Sequence, residues 1–183
     1  MFNDLRHERA RILIVDDMAS NIHVIREAVR DLGEVRFATS GREALEMAQR
    51  AVPDVILLDI EMPGMDGYAV CREIKATPRL SDIPVIFVTS HDEDGHELQA
   101  LNIGGVDFLH KPLNVPVARA RVQTQLALRL RTRQLGAAQR DLAEVLRRLP
   151  AFVAYWNADL CNEFANDESG AWFGIAAADM RGL

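Results

Sequence analysis

Five short apolar runs, each followed by a helix-like stretch, constrain this chain more than any other feature. They are RILIV (11–15), VRFAT (35–39), DVILL (54–58), PVIFV (84–88) and VDFL (106–109). The first, third and fourth are almost unbroken Ile, Leu, Val and Phe, as expected of strands covered on both faces. Between the runs lie NIHVIREAVRDLG, GREALEMAQRA, GYAVCREIKAT and DGHELQALNIGG. The first of these gathers Ile22, Ile25, Ala28, Val29 and Leu32 on one face, and Gly33 then reads as its C-terminal cap. Five such units in series predict an α/β fold: a doubly wound, five-stranded parallel sheet with helices on both sides and right-handed crossovers.

The fifth helical stretch is longer. Pro116 suits a first helical turn and the next breaker is Pro150, which allows about 33 residues, or about 50 Å at the helical rise. Leu128, Leu135, Leu142 and Leu149 recur every seven positions, with Ala138 and Val145 three positions after two of them. That partial heptad seam predicts a two-stranded coiled coil, and so a homodimer. Residues 117–149 carry eight arginines against Asp141 and Glu144, in a chain of net charge −6. The basic stretch reads as a solvated helix face beside an acidic domain. Its arginines are not gathered with aromatics, so no nucleic-acid contact is predicted. Gly136 is where the helix could break, since one interior glycine costs about 1 kcal/mol.

After Pro150 the texture changes again. AFVAYWNADLCNEFANDESGAWFGIAAADMRGL holds both tryptophans and reads as a strand, a turn at Asn157-Ala158-Asp159, a second strand and a helix. Some 33 residues bury little core alone, so the chain is expected to stop inside a second domain. Elsewhere the composition is ordinary, with 49% hydrophobic and 26% charged residues. Cys71 and Cys161 lie on unrelated segments without metal-like spacing, which points to free thiols in a reducing cytoplasm. The first apolar run is cut at Asp16-Asp17, too early for a signal peptide or a membrane span.

Chemistry-bearing residues fall at the carboxyl ends of the predicted strands. Asp16 and Asp17 follow the first run, Asp59 the third, Thr89-Ser90 the fourth and Lys111-Pro112 the fifth. In an open parallel sheet, ligands bind in the crevice outside those ends, where the strand order reverses. An aspartate at one strand end commonly caps the next helix, but capping does not explain the whole set. Clustered carboxylates call for a hard cation, and Mg²⁺ takes oxygen ligands while keeping several waters. A lysine and a hydroxyl opposite that ion would receive a phosphoryl group. Asp59 is single, central and at the end of the most buried run, so it is the expected nucleophile, with an aspartyl phosphate as product.

The pattern ILIVDD … DVILLDIEMPGMDG … PVIFVTS … DFLHKP resembles the receiver domain of two-component response regulators over about residues 10–130. The resemblance implies a flavodoxin-like fold and a signalling switch rather than an enzyme. It implies that Asp59 accepts phosphate from a histidine kinase or a phosphotransfer protein. By the same likeness Asp17 would ligate Mg²⁺ directly, Asp16 mostly through water, and the Glu61 backbone carbonyl would complete the protein ligands. Thr89 and Lys111 would each engage a phosphoryl oxygen, and Lys111-Pro112 would carry a cis peptide. Phe108 occupies the position of the switch aromatic, where many relatives have Tyr, so a switch that uses a phenolic hydroxyl is not expected. LPAFVAYWNADLCNEFAND…WFGIAAADMRGL resembles the first half of a PAS sensor domain. The implied organisation is an N-terminal tail (1–9), a receiver (10–130), a signalling helix (116–149) and a partial α+β PAS-like segment (150–183).

Rival readings are weaker. GGVDF (104–108) superficially matches a diguanylate cyclase signature but lacks the acid pair and leads into the strand ending at Lys111. His91 and His96 sit in an acidic loop without a third soft ligand, as a solvated loop would, and His110 borders the pocket. A hydrolase of the haloacid-dehalogenase type also uses an aspartyl nucleophile with Mg²⁺, but it expects Asp where this chain has Glu61. A phosphorylation-independent interaction module would not need the full acid, hydroxyl and lysine set.

Overall fold

A computed structural model describes residues 9–90 and 102–166, together with 168, 174, 176, 179 and 180. The chain divides into two compact units, Met1–Leu130 and Arg131–Leu183. In the first unit the order is β1 (Ala10–Val15), α1 (Ala19–Val29), β2 (Gly33–Ala38), α2 (Gly41–Arg50), β3 (Val55–Asp59), α3 (Gly67–Ala76), β4 (Val85–Thr89) and β5 (Asp107–His110). A long helix, α4 (Val115–Arg148), then runs on into the second unit. Most of the helix-like stretch before β5 (94–101), together with His91 and His96, lies outside the described residues.

All five strands are parallel, in the order β2-β1-β3-β4-β5. Alternate side chains of each strand point to opposite faces, and both faces are covered. Leu13, Val15, Ile56, Leu58, Val85 and Phe87 meet Ala44 and Ala48 of α2 and Val70, Cys71 and Ile74 of α3. On the other face Ile12, Ile14, Val55, Leu57, Ile86 and Val88 meet Ile22, Ile25, Ala28 and Val29 of α1 and Ala118 and Val122 of α4. This double burial is why β3 and β4 have no polar residue before their last positions.

Local signals start the helices where the chain leaves the sheet. The Ser40 hydroxyl accepts from the Glu43 amide at the start of α2, and the Glu43 carboxylate accepts from the Thr39 amide. The Asp66 carboxylate accepts from the Ala69 amide at 2.7 Å and caps α3. Asn114 caps α4 through the Val117 amide, with Pro116 in the first turn.

One local expectation is corrected. Gly33 is not the cap of α1, whose C-cap is Arg30; it opens β2. A Cβ on Gly33 would lie 2.1 Å from the Ala10 carbonyl oxygen. A close approach of two strands, not a helix end, therefore requires glycine there. Of the two readings of the fifth helical stretch, the continuous one holds: α4 passes through Gly136 without a break over 34 residues.

In the second unit β6 (Ala154–Trp156) pairs antiparallel with β7 (Asn162–Ala165). The expected turn is present: the Asn157 side-chain oxygen accepts from the Asp159 and Cys161 amides, both at 3.0 Å. Asn166 is buried and joins the hairpin to the end of α4. Its side-chain nitrogen donates to the carbonyls of Leu146 and Ala151, and its oxygen accepts from the Val153 amide. The helix expected after the second strand falls outside the described residues.

Candidate functional site

The sheet order reverses between β1 and β3, because β1 leads outward to β2 while β3 leads the other way to β4 and β5. The carboxyl ends of β1 and β3 thus flank the crevice where such sheets bind ligands. Asp16 directly follows β1 and Asp59 is the last residue of β3, with 0% and 2% of their surfaces exposed. Asp17 beside them is exposed. Each of these three acids has a carboxylate oxygen within 4.8 Å of one on each of the other two.

Lys111 reaches this cluster from beyond β5. Its ammonium donates to Asp59 Oδ2 at 2.8 Å and to Asp16 Oδ2 at 3.0 Å. The backbone delivers it there: the Lys111 amide donates to the Thr89 carbonyl at 2.7 Å, and the Lys111–Pro112 peptide is cis. Thr89 ends β4 and is buried, and in the β4–β5 register it stands opposite His110. Glu61 lies two residues past Asp59, its amide 3.4 Å from Asp59 Oδ1 and its carboxylate accepting from the Ser90 hydroxyl at 3.0 Å.

Burial drives the electrostatics. Desolvation pushes the Asp59 carboxyl above its usual range, against the hydrogen bond from Lys111, and the neighbouring Asp16 carboxylate adds to the upward push. For Lys111 desolvation acts downward, but the hydrogen bonds to Asp59 and Asp16 outweigh it and hold the ammonium above its ordinary value. Three carboxylates against one ammonium leave a surplus of negative charge in the cluster, with two of the acids buried. A clustered oxygen donor set with that surplus is what a hard dication takes.

Comparison with known proteins agrees with this geometry. Residues 12–123 match the response regulator receiver domain model. The chain belongs to the response regulator receiver family. It is 43% identical over 122 residues to the response regulator PleD of Caulobacter vibrioides, covering 66% of this chain and 27% of PleD. It is 38% identical over 139 residues to a Vibrio cholerae protein named "Probable cyclic di-GMP phosphodiesterase", covering 75% of this chain and 31% of that protein. The chain therefore spans about a third or less of the length of these two curated relatives. Among solved structures, the chemotaxis protein CheY4 of Vibrio cholerae superposes with a TM-score of 0.60 at 30% identity, covering 63% of this chain and 97% of CheY4. Receiver domains are signalling switches that are phosphorylated, bind Mg²⁺ at an acidic pocket and interact with histidine kinases or phosphotransfer proteins.

Of the residues singled out in the sequence, the structure brings Asp16, Asp17, Asp59 and Lys111 into one cluster, with Thr89 and Glu61 at the neighbouring strand ends. Two further residues were not legible in the sequence. Asn21 on α1 donates to Asp16 Oδ1 at 2.9 Å, alongside the Met18 amide. Arg121, on α4, lies over the Phe108 ring. The five-residue gap from Asp16 to Asn21 was the only available signal for the first. The second depends on contacts between distant segments.

Proposed function

We propose that this chain is the phospho-acceptor switch of a response regulator and receives a phosphoryl group on Asp59 from a histidine kinase or a phosphotransfer protein. The observation that carries the reading is the meeting of Asp16, Asp17, Asp59 and Lys111 at the reversal point of the sheet. An Asp59 oxygen attacks phosphorus, the bond from phosphorus to the donor breaks, and an acyl phosphate forms. When bound, Mg²⁺ offsets the negative charge that gathers as phosphate and carboxylates approach.

Asp17, Asp59 and the Glu61 carbonyl would hold that ion directly, and Asp16 would act through water. This division is supported by the bonding of Asp16, whose oxygens already accept from the Met18 amide, Asn21 and Lys111, whereas Asp17 is exposed. Lys111 moves from the carboxylates to a phosphoryl oxygen, and the Thr89 hydroxyl takes another. Phe108 then turns inward. The donor enters along the side of exposed Asp17 and Glu61, since Asp59 itself is covered.

The organisation follows from the same reading: a tail (1–9), a receiver (10–130), a signalling helix (116–149) and the start of a PAS-like domain (150–183). Phosphorylation alters how two copies of α4 pair, and the signal passes to a PAS-containing output region; any output enzyme lies outside this chain. The pairing is supported by Leu135 and Leu142, which are 66% and 60% exposed on α4. The PAS-like start is supported by the β6–β7 hairpin and its attachment to the helix end through Asn166. No helix among the described residues is long and apolar enough to cross a membrane. Incubation of wild type and Asp59→Asn with Mg²⁺ and acetyl phosphate tests the acceptor. Wild type becomes phosphorylated and the variant does not; equal labelling of the variant would remove Asp59 from that role.

A further inference from the structure

The switch aromatic is held by a residue of the long helix. Phe108 stands opposite Phe87 in the β4–β5 register, two residues before the Thr89–His110 pair. Thr89, His110 and Phe108 therefore belong to one face of the sheet, since strand side chains alternate. The His110 ring meets the Phe108 ring edge-on, with centroids 5.2 Å apart. On α4, the Arg121 guanidinium lies 5.4 Å from the centroid of the same ring. That guanidinium is fixed independently: it pairs with the Asp107 carboxylate and donates to the Phe108 carbonyl. A contiguous line of contacts thus runs from the hydroxyl-bearing strand end, through His110 and Phe108, to the second turn of α4.

We propose that Arg121 is a positioning residue, a latch that holds Phe108 in its present rotamer and lets α4 register the state of the phosphorylation pocket. This rests on the reading of Thr89 and Phe108 as the switch. Arg121 cannot follow the ring inward, because two of its contacts are to Asp107 and to the Phe108 backbone, which stay with β5. The cation–π contact is therefore made in one state and lost in the other, and only such a differential contact can bias a two-state equilibrium. Phosphorylation then frees the Arg121 face of α4 from the ring, while Ala118 and Val122 keep the helix seated on the sheet.

Removing the latch favours the active state. In the full chain, Arg121→Gln lowers the beryllofluoride concentration that half-saturates the Mg²⁺-loaded protein by about two- to fivefold, the size of a partly exposed cation–π contact. Arg121→Lys, which keeps a cation but not the planar fork, shows a smaller shift. In a Phe108→Leu background the Arg121→Gln effect disappears, which a general loosening of the fold would not produce. Thermal melts of each variant establish that it is folded. Equal half-saturation for Arg121→Gln and wild type overturns the latch alone, as does an undiminished effect in the Phe108→Leu background. If wild type binds beryllofluoride but its Phe108 ring resonances do not move, the switch reading fails and the latch fails with it.

Discussion

Gly67 offers a sharp test of how tightly Asp59, the proposed acceptor, is held. It opens α3, and a Cβ there would lie 2.2 Å from the Asp59 carbonyl oxygen and 2.9 Å from Ile60 Cα. Both neighbours are backbone, so no side chain can swing aside. To reach an ordinary contact, the end of β3 and the start of α3 must separate by about 1 Å, and strain of this kind costs about 1–3 kcal/mol. The Gly67 amide also donates to the Ile60 carbonyl at 2.9 Å, and the Ile60 amide to the Val88 carbonyl at 3.2 Å. Losing one such bond adds about 1 kcal/mol. Gly67→Ala should therefore destabilise by about 2–4 kcal/mol in total, which lowers Tm by roughly 5–15 °C in a chain of this size. Because Asp59 is the residue displaced, phosphorylation by acetyl phosphate at a temperature where the variant is folded should slow by about tenfold or more, as misplacement near 1 Å can do. Gly64→Ala is the control: its φ is +81° with nothing within 4 Å of the added Cβ, so it should cost only about 1–2 kcal/mol of left-handed strain and leave the rate unchanged. Calorimetry and a phosphorylation time course measure both. Wild-type stability in Gly67→Ala, or a destabilised variant that is phosphorylated at the wild-type rate, would refute the reasoning.

Two further outcomes are expected. Burial raises the folded-state pKa of Asp59 above the ordinary 3.8, outweighing the pull of Lys111, so its ionisation weakens the native state as pH rises from 3.8 through that raised value. Without Mg²⁺, Asp59→Asn should thus melt above wild type at neutral pH, with the gap closing below pH 3.8 and Mg²⁺ stabilising wild type more than the variant; a gap that ignored pH would count against this account. Leu135→Arg with Leu142→Arg should convert a dimer to a monomer in sedimentation velocity, and an unchanged species would dispose of the seam.

The framework of the site was legible because each proposed site position falls at or just past the end of an apolar run. An acid that interrupts Val-Ile-Leu-Leu at Asp59, or a lysine directly after Asp-Phe-Leu-His, signals chemistry at a strand end without any coordinates. The arginines of residues 117–149 were not legible in the same way. As a sequence they form a solvated basic face. In the structure Arg119 pairs with Asp31, Arg121 with Asp107 and the Phe108 ring, and Arg129 donates to the Asp82 carbonyl. Gly33 was misread for a related reason: its role is set by the Ala10 carbonyl, 23 positions away in the chain.

By itself the sequence determined the parallel sheet, the identity of the acids and the lysine, and the presence of a long final helix, because continuous burial and helical periodicity are local patterns that survive in one dimension. Which carboxylate Lys111 bridges, why Asp16 is enclosed while Asp17 is exposed, and what grips Phe108 were decided only when strands far apart in the chain were laid side by side. Those choices turn on distances of a few ångströms between segments, and no local pattern encodes them.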